Sequence, residues 1–226
     1  MDTTLNIIVR THRRPNYFRK CIESIVNQNY ENIRVIVVVD DDESEQYALP
    51  LKKEGLIDAV IKVNKADFKS TDFRKLQVAG ICKKNRDRDR HFYDLYINKV
   101  TSELEEGFCW VVDDDKELAE TVTVSKMMKK LESEDQVLLV QHQMAHKTVP
   151  SKYFWKKEPL TRGEVDMSCF VWHVSKSSFA QFDGHGAADH RVADSLVKNL
   201  TPVWYMLVAT VADNSGNHGK AEKDIK

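Results

Sequence analysis

Short runs of apolar, mostly β-branched residues alternate along the chain with segments in which apolar residues recur at helical spacing. The runs are continuous, as in strands that are covered on both faces of a sheet. The spaced segments are typical of amphipathic helices. In the first half of the chain the pattern predicts strands over residues 5–10, 33–39, 57–63 and 108–112 and helices over residues 16–28, 45–55 and 90–105.

The first strand, helix and second strand form a predicted βαβ unit, in which the two strands pair in parallel. The second half alternates less regularly, and we predict a long loop or hairpin over residues 142–166 and a mobile tail over residues 213–226. Its helices are predicted over residues 121–131, 175–182 and 189–199 and its strands over residues 136–141, 169–173 and 204–211. We expect one α/β domain over residues 1–226, built on a mixed, mostly parallel sheet flanked by helices.

Composition narrows the class of protein. The chain has 226 residues, and 34 basic residues nearly balance 35 acidic ones. This balance argues against a bulk polyanion as partner, so we do not expect a nucleic acid. No apolar run approaches the roughly 20 residues of a membrane span, and no signal peptide is evident. Four widely spaced cysteines fit free thiols in a reducing compartment. We expect a cytoplasmic protein, with peripheral attachment to a membrane left open.

Polar clusters follow three of the predicted strands, at residues 11–14, 40–43 and 113–115. Because ligands of open parallel sheets bind beyond the carboxyl ends of the strands, we expect the clusters to meet at one site. Either acidic cluster alone would fit a solvated turn. Three successive carboxylates repel one another, and a hard cation such as Mg²⁺ or Mn²⁺ relieves that repulsion. In an extended chain Asp113 and Asp115 point to one side and Asp114 to the other.

Several motifs, in order along residues 5–200, resemble those of the large inverting glycosyltransferase family 2, whose members have the GT-A (Rossmann-like) fold. The resemblance is carried by residues 5–15, 21–30, 35–41, Asn98, residues 110–115, residues 178–184 and residues 188–189. The order and spacing of these motifs are more specific than any one of them, including the D-x-D triplet at residues 113–115. The resemblance implies a nucleotide-sugar half over about residues 1–115 and an acceptor half over about residues 116–212.

On the donor side, the resemblance implies a nucleotide-diphosphate sugar, foremost a uridine diphosphate sugar, and Mn²⁺ or Mg²⁺ as the metal. Asp40, or else Asp41, would accept a hydrogen bond from the base. Asp113 and Asp115 would hold the ribose and the metal, which would neutralise the leaving diphosphate. The further donor-side residues are Thr11, His12, Arg14, Arg86, Arg90, Asn98, Asp114 and Lys220, and His218 is a further metal ligand. For the arginines, a solvated surface is the alternative.

On the acceptor side, the resemblance implies Asp189 as the general base, because the acceptor hydroxyl must lose a proton as it attacks the anomeric carbon. Asp189 also fits the N-cap or first turn of a helix, and the two roles are compatible. The acceptor candidates are Trp155, His185 and His190. For Trp155, anchoring of its own loop is the alternative. We expect Trp172 and Trp204, which lie inside apolar strands, in the core.

The sequence departs from the family's pattern at several points. Arg13 stands where Asn is common, and Ala188 replaces the Glu of a Glu-Asp pair. No Gln-x-x-Arg-Trp motif follows, so we expect transfer of a single sugar to a glycan or related acceptor. Two other functions stay open. A sugar nucleotidyltransferase would usually carry glycines in the first loop, which has none here, and a nucleotide-sugar-binding subunit without activity would keep the same fold.

Overall fold

The computed structural model describes residues 3–64, 92–184 and 187–212, which form nine strands and five α-helices. In chain order the elements are β1 (Leu5–Arg10), α1 (Pro15–Val26), β2 (Ile33–Val39), α2 (Asp42–Lys53), β3 (Ala59–Lys62), α3 (Phe92–Ser102), β4 (Phe108–Asp113), β5 (Lys116–Leu118), α4 (Thr123–Met128), β6 (Gln136–Gln143), β7 (Thr148–Val149), β8 (Phe170–His173), α5 (Ala188–Asn199) and β9 (Thr201–Ala212). Short 3₁₀ turns at Met167–Cys169 and Val174–Lys176 flank β8. None of the helices described in these ranges is long and apolar enough to cross a membrane.

The strands form one sheet in the order β3-β2-β1-β4-β8-β6-β9-β5, and β7 pairs with β6 beside this row. β1 to β4 are mutually parallel. β8 runs antiparallel to both β4 and β6, whereas β6 and β9 are parallel to each other. The predicted mixed sheet with flanking helices is therefore confirmed.

Hydrophobic clusters cover both faces of the sheet. Neighbouring residues of β1 face opposite ways: Ile7 belongs to the cluster that includes Ile22 of α1, and Ile8 to the cluster that includes Leu196 of α5. Burial of both faces explains why the strand sequences are continuous apolar runs.

The two tryptophans predicted in the core differ in their burial. Trp172 of β8 is fully buried, as predicted. Trp204 of β9 is only half-buried, at the margin of the core, where its ring lies 5.2 Å from that of Trp155 in an edge-to-face contact. The prediction for Trp204 was wrong in this respect, because the strand that carries it lies near the edge of the sheet.

Three segments differ in detail from the predicted elements. Residues 175–182 form a 3₁₀ turn and further turns where a helix was predicted, because the serine hydroxyls there bond to nearby side chains and compete with the helical backbone. Ser175 Oγ lies 2.9 Å from His173 Nδ1, and Trp172 donates to Ser177 Oγ. The loop or hairpin over residues 142–166 begins as a hairpin of β6 and β7. β5 was not predicted, since three residues carry no readable pattern.

The carboxyl ends of β1, β2 and β4 are level with one another. Arg10, the last residue of β1, is in register with Val38 of β2 and with Asp113 of β4. The polar residues that follow these strands therefore emerge side by side at one edge of the sheet. This edge carries the candidate site.

Gly107, the residue before β4, lies where the chain enters the sheet beside Thr4. Its φ is +87°, and a Cβ at this position would lie 2.5 Å from the Thr4 carbonyl oxygen. Gly55 also has a positive φ, +78°, but a Cβ there would meet no atom within 4 Å. An alanine at either position carries the strain of a left-handed backbone, about 1–2 kcal/mol. Only the alanine at 107 must also displace backbone.

We therefore expect Gly107→Ala to lower the free energy of unfolding by about 2 kcal/mol more than Gly55→Ala does. Chemical denaturation of the two variants measures the difference, and Gly55→Ala serves as the control for backbone strain alone. Equal losses in the two variants would contradict the close approach of Gly107 to Thr4.

Candidate active site

A cavity of about 300 Å³ opens at the carboxyl ends of β1, β2 and β4. It brings together the three polar clusters that follow these strands, and α3 closes one side with two tyrosines. Its described lining residues are Arg10, Thr11, His12, Arg14, Val38, Asp40, Tyr93, Tyr96, Asp113, Asp114 and Asp115. The expectation that the clusters meet at one place is met by this geometry.

Asp114, the middle member of the acidic triplet, points into the protein and is only 4% exposed. Its Oδ2 accepts a hydrogen bond from Thr11 Oγ1 at 2.8 Å, and its Oδ1 accepts one from Arg14 Nη1 at 3.0 Å. The same Arg14 nitrogen lies 3.1 Å from Asp115 Oδ2. Thr11 and Arg14, both predicted as donor-side residues, thus also fix the turn that follows β4.

The charge of the triplet is only partly compensated. Burial, together with the neighbouring carboxylates Asp115 and Asp113, raises the pKa of Asp114 to about 7, against the lowering effect of Arg14 and Thr11. A cation that approached the triplet would favour the ionised form of this carboxyl. The oxygen ligands of the triplet are those that Mg²⁺ and Mn²⁺ prefer, so these residues fit such a metal.

Asp113 is held by two cations from different elements. Arg10 Nη2 contacts its Oδ1 at 2.5 Å, and Lys116 Nζ contacts its Oδ2 at 2.9 Å. Burial alone would raise the pKa of Asp113, but Arg10 and Lys116 hold it far below its usual value. Asp113 is therefore ionised at every physiological pH.

The two cations are themselves shared with further carboxylates. Arg10 Nη1 contacts Asp94 of α3 at 2.6 Å, and Lys116 contacts Asp166, which also caps the 3₁₀ turn before β8. None of these four residues was predicted from the sequence as a site residue. The position of Arg10 at the end of a strand, and that of Lys116 directly after the triplet, could have indicated a role in the site. No sequence pattern related Asp94 or Asp166 to them.

Asp40 and Asp41, at the end of β2, have different partners. Asp40 Oδ1 lies 2.9 Å from His12 Nδ1, and its Oδ2 accepts a bond from Tyr96 at 3.2 Å. Asp41 caps α2 by accepting from the Ser44 amide, and it also pairs with Arg13 at 2.7 Å. Asp40 lines the cavity and Asp41 does not, which favours Asp40 as the base contact over its alternative.

His12, Asp40 and Asp41 also offer a ligand set, since one atom from each lies within 4.8 Å of the others. The hydrogen bond to Asp40 raises the pKa of His12, so the imidazole favours the protonated form that pairs with these carboxylates. The cap and the Arg13 contact already engage both oxygens of Asp41. The family resemblance implies the acidic triplet as the metal site, and there both oxygens of Asp113 are likewise engaged, by Arg10 and Lys116.

Asp189 is the second residue of α5 and lies in its first turn, where its Oδ1 accepts a bond from the His190 amide at 2.7 Å. The N-cap of this helix is Ala187, so only the first-turn placement applies. Burial, together with the nearby charges of Asp166 and Asp94, raises the pKa of Asp189 to about 6, against the lowering effect of the His190 amide and Lys116. These two carboxylates hold Lys116 and Arg10, so Asp189 lies within electrostatic range of the charge network of Asp113.

Like Asp41 and Asp189, three other predicted residues lie outside the described lining of the cavity. The side-chain amide of Asn98 exchanges two hydrogen bonds with the backbone of Phe182, at 2.7 and 2.8 Å. His190 Nε2 donates to the Leu160 carbonyl at 2.7 Å. Trp155 is half-buried against Trp204, as its anchoring role predicts. Their donor or acceptor roles remain predictions, and Arg86, Arg90, His185, His218 and Lys220 lie outside the described residues.

Comparison with known sequences agrees with the resemblance noted from the motifs. Residues 6–68 match the family described as Glycosyl transferase family 2. This stretch contains all but the first residue of β1, the whole of β2 and four further residues that line the cavity, Thr11, His12, Arg14 and Asp40, but not the acidic triplet. A segment of 40 residues is 42% identical to glycosyltransferase GlyA of Streptococcus pneumoniae serotype 4 and covers 18% of this chain and 6% of that protein.

Solved structures share the fold. S. aureus TarS 1–349 in complex with UDP-GlcNAc matches 99% of this chain with a TM-score of 0.65 at 13% identity. The mannosyltransferase PcManGT from Pyrobaculum calidifontis, in complex with GDP-Man and Mn²⁺, matches 96% with a TM-score of 0.62, also at 13% identity. The chain spans 61% and 58% of the length of these two proteins. The likeness confirms the GT-A fold expected from the motifs.

The raised pKa of Asp189 has a consequence for stability. The folded chain binds a proton at this carboxyl up to a pH of about 6, whereas an unfolded chain releases it near pH 4. Because the folded pKa lies above the unfolded one, stability is lost as the pH rises from about 4 to about 6. Asp189→Asn has no charge to bury, so we expect it to be more stable than wild type by about 1–3 kcal/mol at pH 8 and by much less at pH 4.

Urea denaturation at the two pH values measures this difference. Asp194→Asn, which removes a carboxylate further along the same helix, is the control and should show no comparable dependence of its effect on pH. An Asp189→Asn effect that is the same at both pH values would contradict the burial of an uncompensated carboxylate at this position.

Proposed function

We propose that the protein is an inverting, metal-dependent glycosyltransferase that moves one sugar from a nucleotide-diphosphate sugar, foremost a uridine diphosphate sugar, to a hydroxyl of a glycan or glycoconjugate. One observation carries the proposal. Asp189 lies within electrostatic range of Asp94, Asp166 and Lys116, which belong to the charge network that holds Asp113 at the carboxyl ends of the parallel strands. Asp189, which would serve as the acceptor base, and the acidic motif that would bind the donor thus influence one another electrostatically.

On the donor side, Asp40 would accept from the base, because it lines the cavity at the end of β2 and stays ionised. Burial alone would raise its pKa, but the hydrogen bonds from His12 and Tyr96 keep the pKa below its usual value. The sugar nucleotides bound by TarS and PcManGT, named in their structures as UDP-GlcNAc and GDP-Man, support this class of donor. The choice of uridine rests on the resemblance alone.

Asp115 and Asp113 would hold the metal, which when bound supplies positive charge to a leaving diphosphate. The contacts of Arg10 and Lys116 keep Asp113 ionised and fixed in direction. Arg14 likewise fixes the turn after β4, because its Nη1 contacts both Asp114 and Asp115. These buried cations add positive potential beside the diphosphate without entering or leaving the site during turnover.

Asp189 would act as the general base. It takes the proton of the acceptor hydroxyl, whose oxygen forms a bond to the anomeric carbon from the face opposite the diphosphate. The bond from that carbon to the diphosphate oxygen breaks, and its electron pair leaves with the diphosphate. A carboxylate with a pKa of about 6 is a stronger base than one in water and is still ionised at neutral pH.

We expect Asp189→Asn to lower the rate of sugar transfer by about 100-fold or more, with little change in the affinity for UDP in the presence of Mn²⁺. The loss arises because Asn cannot accept the proton. Wild-type transfer should rise with pH through an apparent pKa near 6, since the base must be ionised. Release of UDP from a panel of sugar nucleotides, measured across pH, tests both expectations.

Asp194→Asn is the matched control for the loss of a carboxylate on α5. Wild-type rates in Asp189→Asn would overturn the assignment of the base. Binding of sugar nucleotides without release of UDP by the wild type would favour a non-catalytic subunit, and release of pyrophosphate from a nucleoside triphosphate and a sugar phosphate would favour a nucleotidyltransferase.

Metal dependence is tested on the donor side. We expect Asp115→Asn to weaken Mn²⁺-dependent binding of UDP by about 10-fold or more, because it removes a charged oxygen ligand. Titration calorimetry with Mn²⁺ or with a chelator measures the affinities, and Asp189→Asn is the comparison in which the affinity should persist. Equal UDP affinity of the wild type with metal and with chelator would contradict the metal role.

A further inference from the structure

The loop before α5 is attached to α3 by a side chain that the family resemblance assigns to the donor. Asn98 donates from Nδ2 to the Phe182 carbonyl at 2.7 Å and accepts from the Phe182 amide at 2.8 Å. Both hydrogen-bonding groups of its amide are therefore engaged by one backbone residue 84 positions away. A paired exchange of this kind fixes the position and the direction of the backbone at residue 182.

The next two residues of the loop are also fixed. Asp183 forms a two-pronged ion pair with Arg191 of α5, at 2.5 and 2.6 Å. Gly184 has a φ of +72° and packs so closely on Leu95 of α3 that a Cβ would lie 3.1 Å from its Cγ. The loop thus joins α3 to the first turns of α5 through three consecutive residues.

The residues that follow Asp189 are both anchored elsewhere. Arg191 is held by Asp183, and His190 donates to the carbonyl of Leu160 at 2.7 Å. The backbone amide of His190 in turn bonds to Asp189 Oδ1. The direction of the Asp189 carboxylate is therefore set by groups that do not reach the cavity themselves.

We propose that Asn98, Asp183 and Arg191 form a clamp that positions the Asp189 turn of α5, so that Asn98 serves the acceptor side of the reaction as a positioning residue and is not a ligand of the donor. This inference rests on the proposed function in one respect, the role of Asp189 as the base. The clamp itself rests on contacts among described residues.

Positioning has a measurable effect because a general base must lie within hydrogen-bond reach of the proton it removes. A displacement of about 1 Å costs on the order of 100-fold in rate. None of the three clamp residues is among the described residues that line the cavity. Loosening the clamp should therefore lower turnover and leave the binding of the nucleotide unchanged, which is the opposite of the result expected for a donor ligand.

The experiment compares Asn98→Ala and Arg191→Gln with Lys198→Gln. Lys198 forms an ion pair with Asp194 at 2.5 Å within α5, so Lys198→Gln removes a similar pair from the same helix without touching the loop. Three quantities are measured: release of UDP from UDP-GlcNAc with Mn²⁺ as the probe donor, the Kd of UDP with Mn²⁺, and backbone hydrogen exchange in residues 187–193 and 33–39.

We expect the two clamp variants to lower UDP release by about 10-fold or more while the Kd of UDP stays within about 2-fold. Hydrogen exchange should accelerate over residues 187–193 and stay constant over residues 33–39. Arg191→Lys, which keeps the charge but loses the two-pronged geometry, should recover part of the rate. Lys198→Gln should match the wild type in all three measurements.

A Kd for UDP that weakens in Asn98→Ala as much as release falls would overturn the proposal, because Asn98 would then be a donor ligand. Unchanged release and exchange in both clamp variants would overturn it as well. Should Asn98→Ala fail to fold, Asn98→Ser and Arg191→Gln carry the same comparison. A wild-type protein that releases no UDP from any sugar nucleotide would count against the proposed function, and the clamp would then be judged by hydrogen exchange alone.

Discussion

The need to compensate buried carboxylates at the ends of three parallel strands determines how this edge of the fold is built. Burying an unpaired ionised carboxylate is costly, and a pair with good geometry and further hydrogen bonds recovers much of that cost. Arg10 meets this need for Asp113 because β1 and β4 are in register, so the last residue of one strand lies opposite the last residue of the other. Lys116 meets it from the other side, after the chain has turned. Removing Arg10 or Lys116 would leave a buried charge on Asp113 without its full complement of partners. The ion pairs therefore depend on the register of the sheet, and the geometry of the site depends on the ion pairs.

Asp189 lacks such cationic partners among the described residues, and in this respect it differs from Asp113. Asp113 has two cationic partners and a pKa far below its usual value. Among the residues that the structure describes, no cation forms an ion pair with Asp189, whose pKa is raised by burial and by its carboxylate neighbours. Under the proposed function, Asp113 would stay charged and fixed, whereas Asp189 would exchange a proton near neutral pH. Both kinds of carboxylate occur in one network. Asp94 and Asp166 pair with Arg10 and Lys116, the cations that hold Asp113, and at the same time repel the negative charge of Asp189.

What could be predicted from the sequence follows from how local each feature is. Continuous apolar runs identified the buried strands, and the polar clusters after them identified the edge of the site, because both signals lie within a few residues. The role of each residue within a cluster could not be predicted from its neighbours in the sequence. Whether Asp40 or Asp41 faces the cavity depends on the cap of α2. Asp94 and Asp166, which pair with Arg10 and Lys116, lie 84 and 50 residues away from them. Asn98 illustrates the limit most clearly, since its motif position suggested a donor contact and its hydrogen bonds lead to Phe182. The helix predicted over residues 175–182 is absent there for a similar reason. Serine hydroxyls in this segment bond to side chains, and helix propensity does not take such bonds into account.

The antiparallel strand β8 joins the two parts of the sheet. It lies between the parallel strands β1 to β4 and the strands β6, β9 and β5, and the turn before it carries Asp166. Ser168 of that turn accepts from the Trp110 indole through its carbonyl at 2.8 Å and donates from its hydroxyl to Asp166 at 2.8 Å. The turn is thereby fixed to β4 by one bond and to the charge network by the other. Under the proposed function, donor and acceptor must be aligned within a fraction of an ångström, and a junction fixed in this way would serve that alignment.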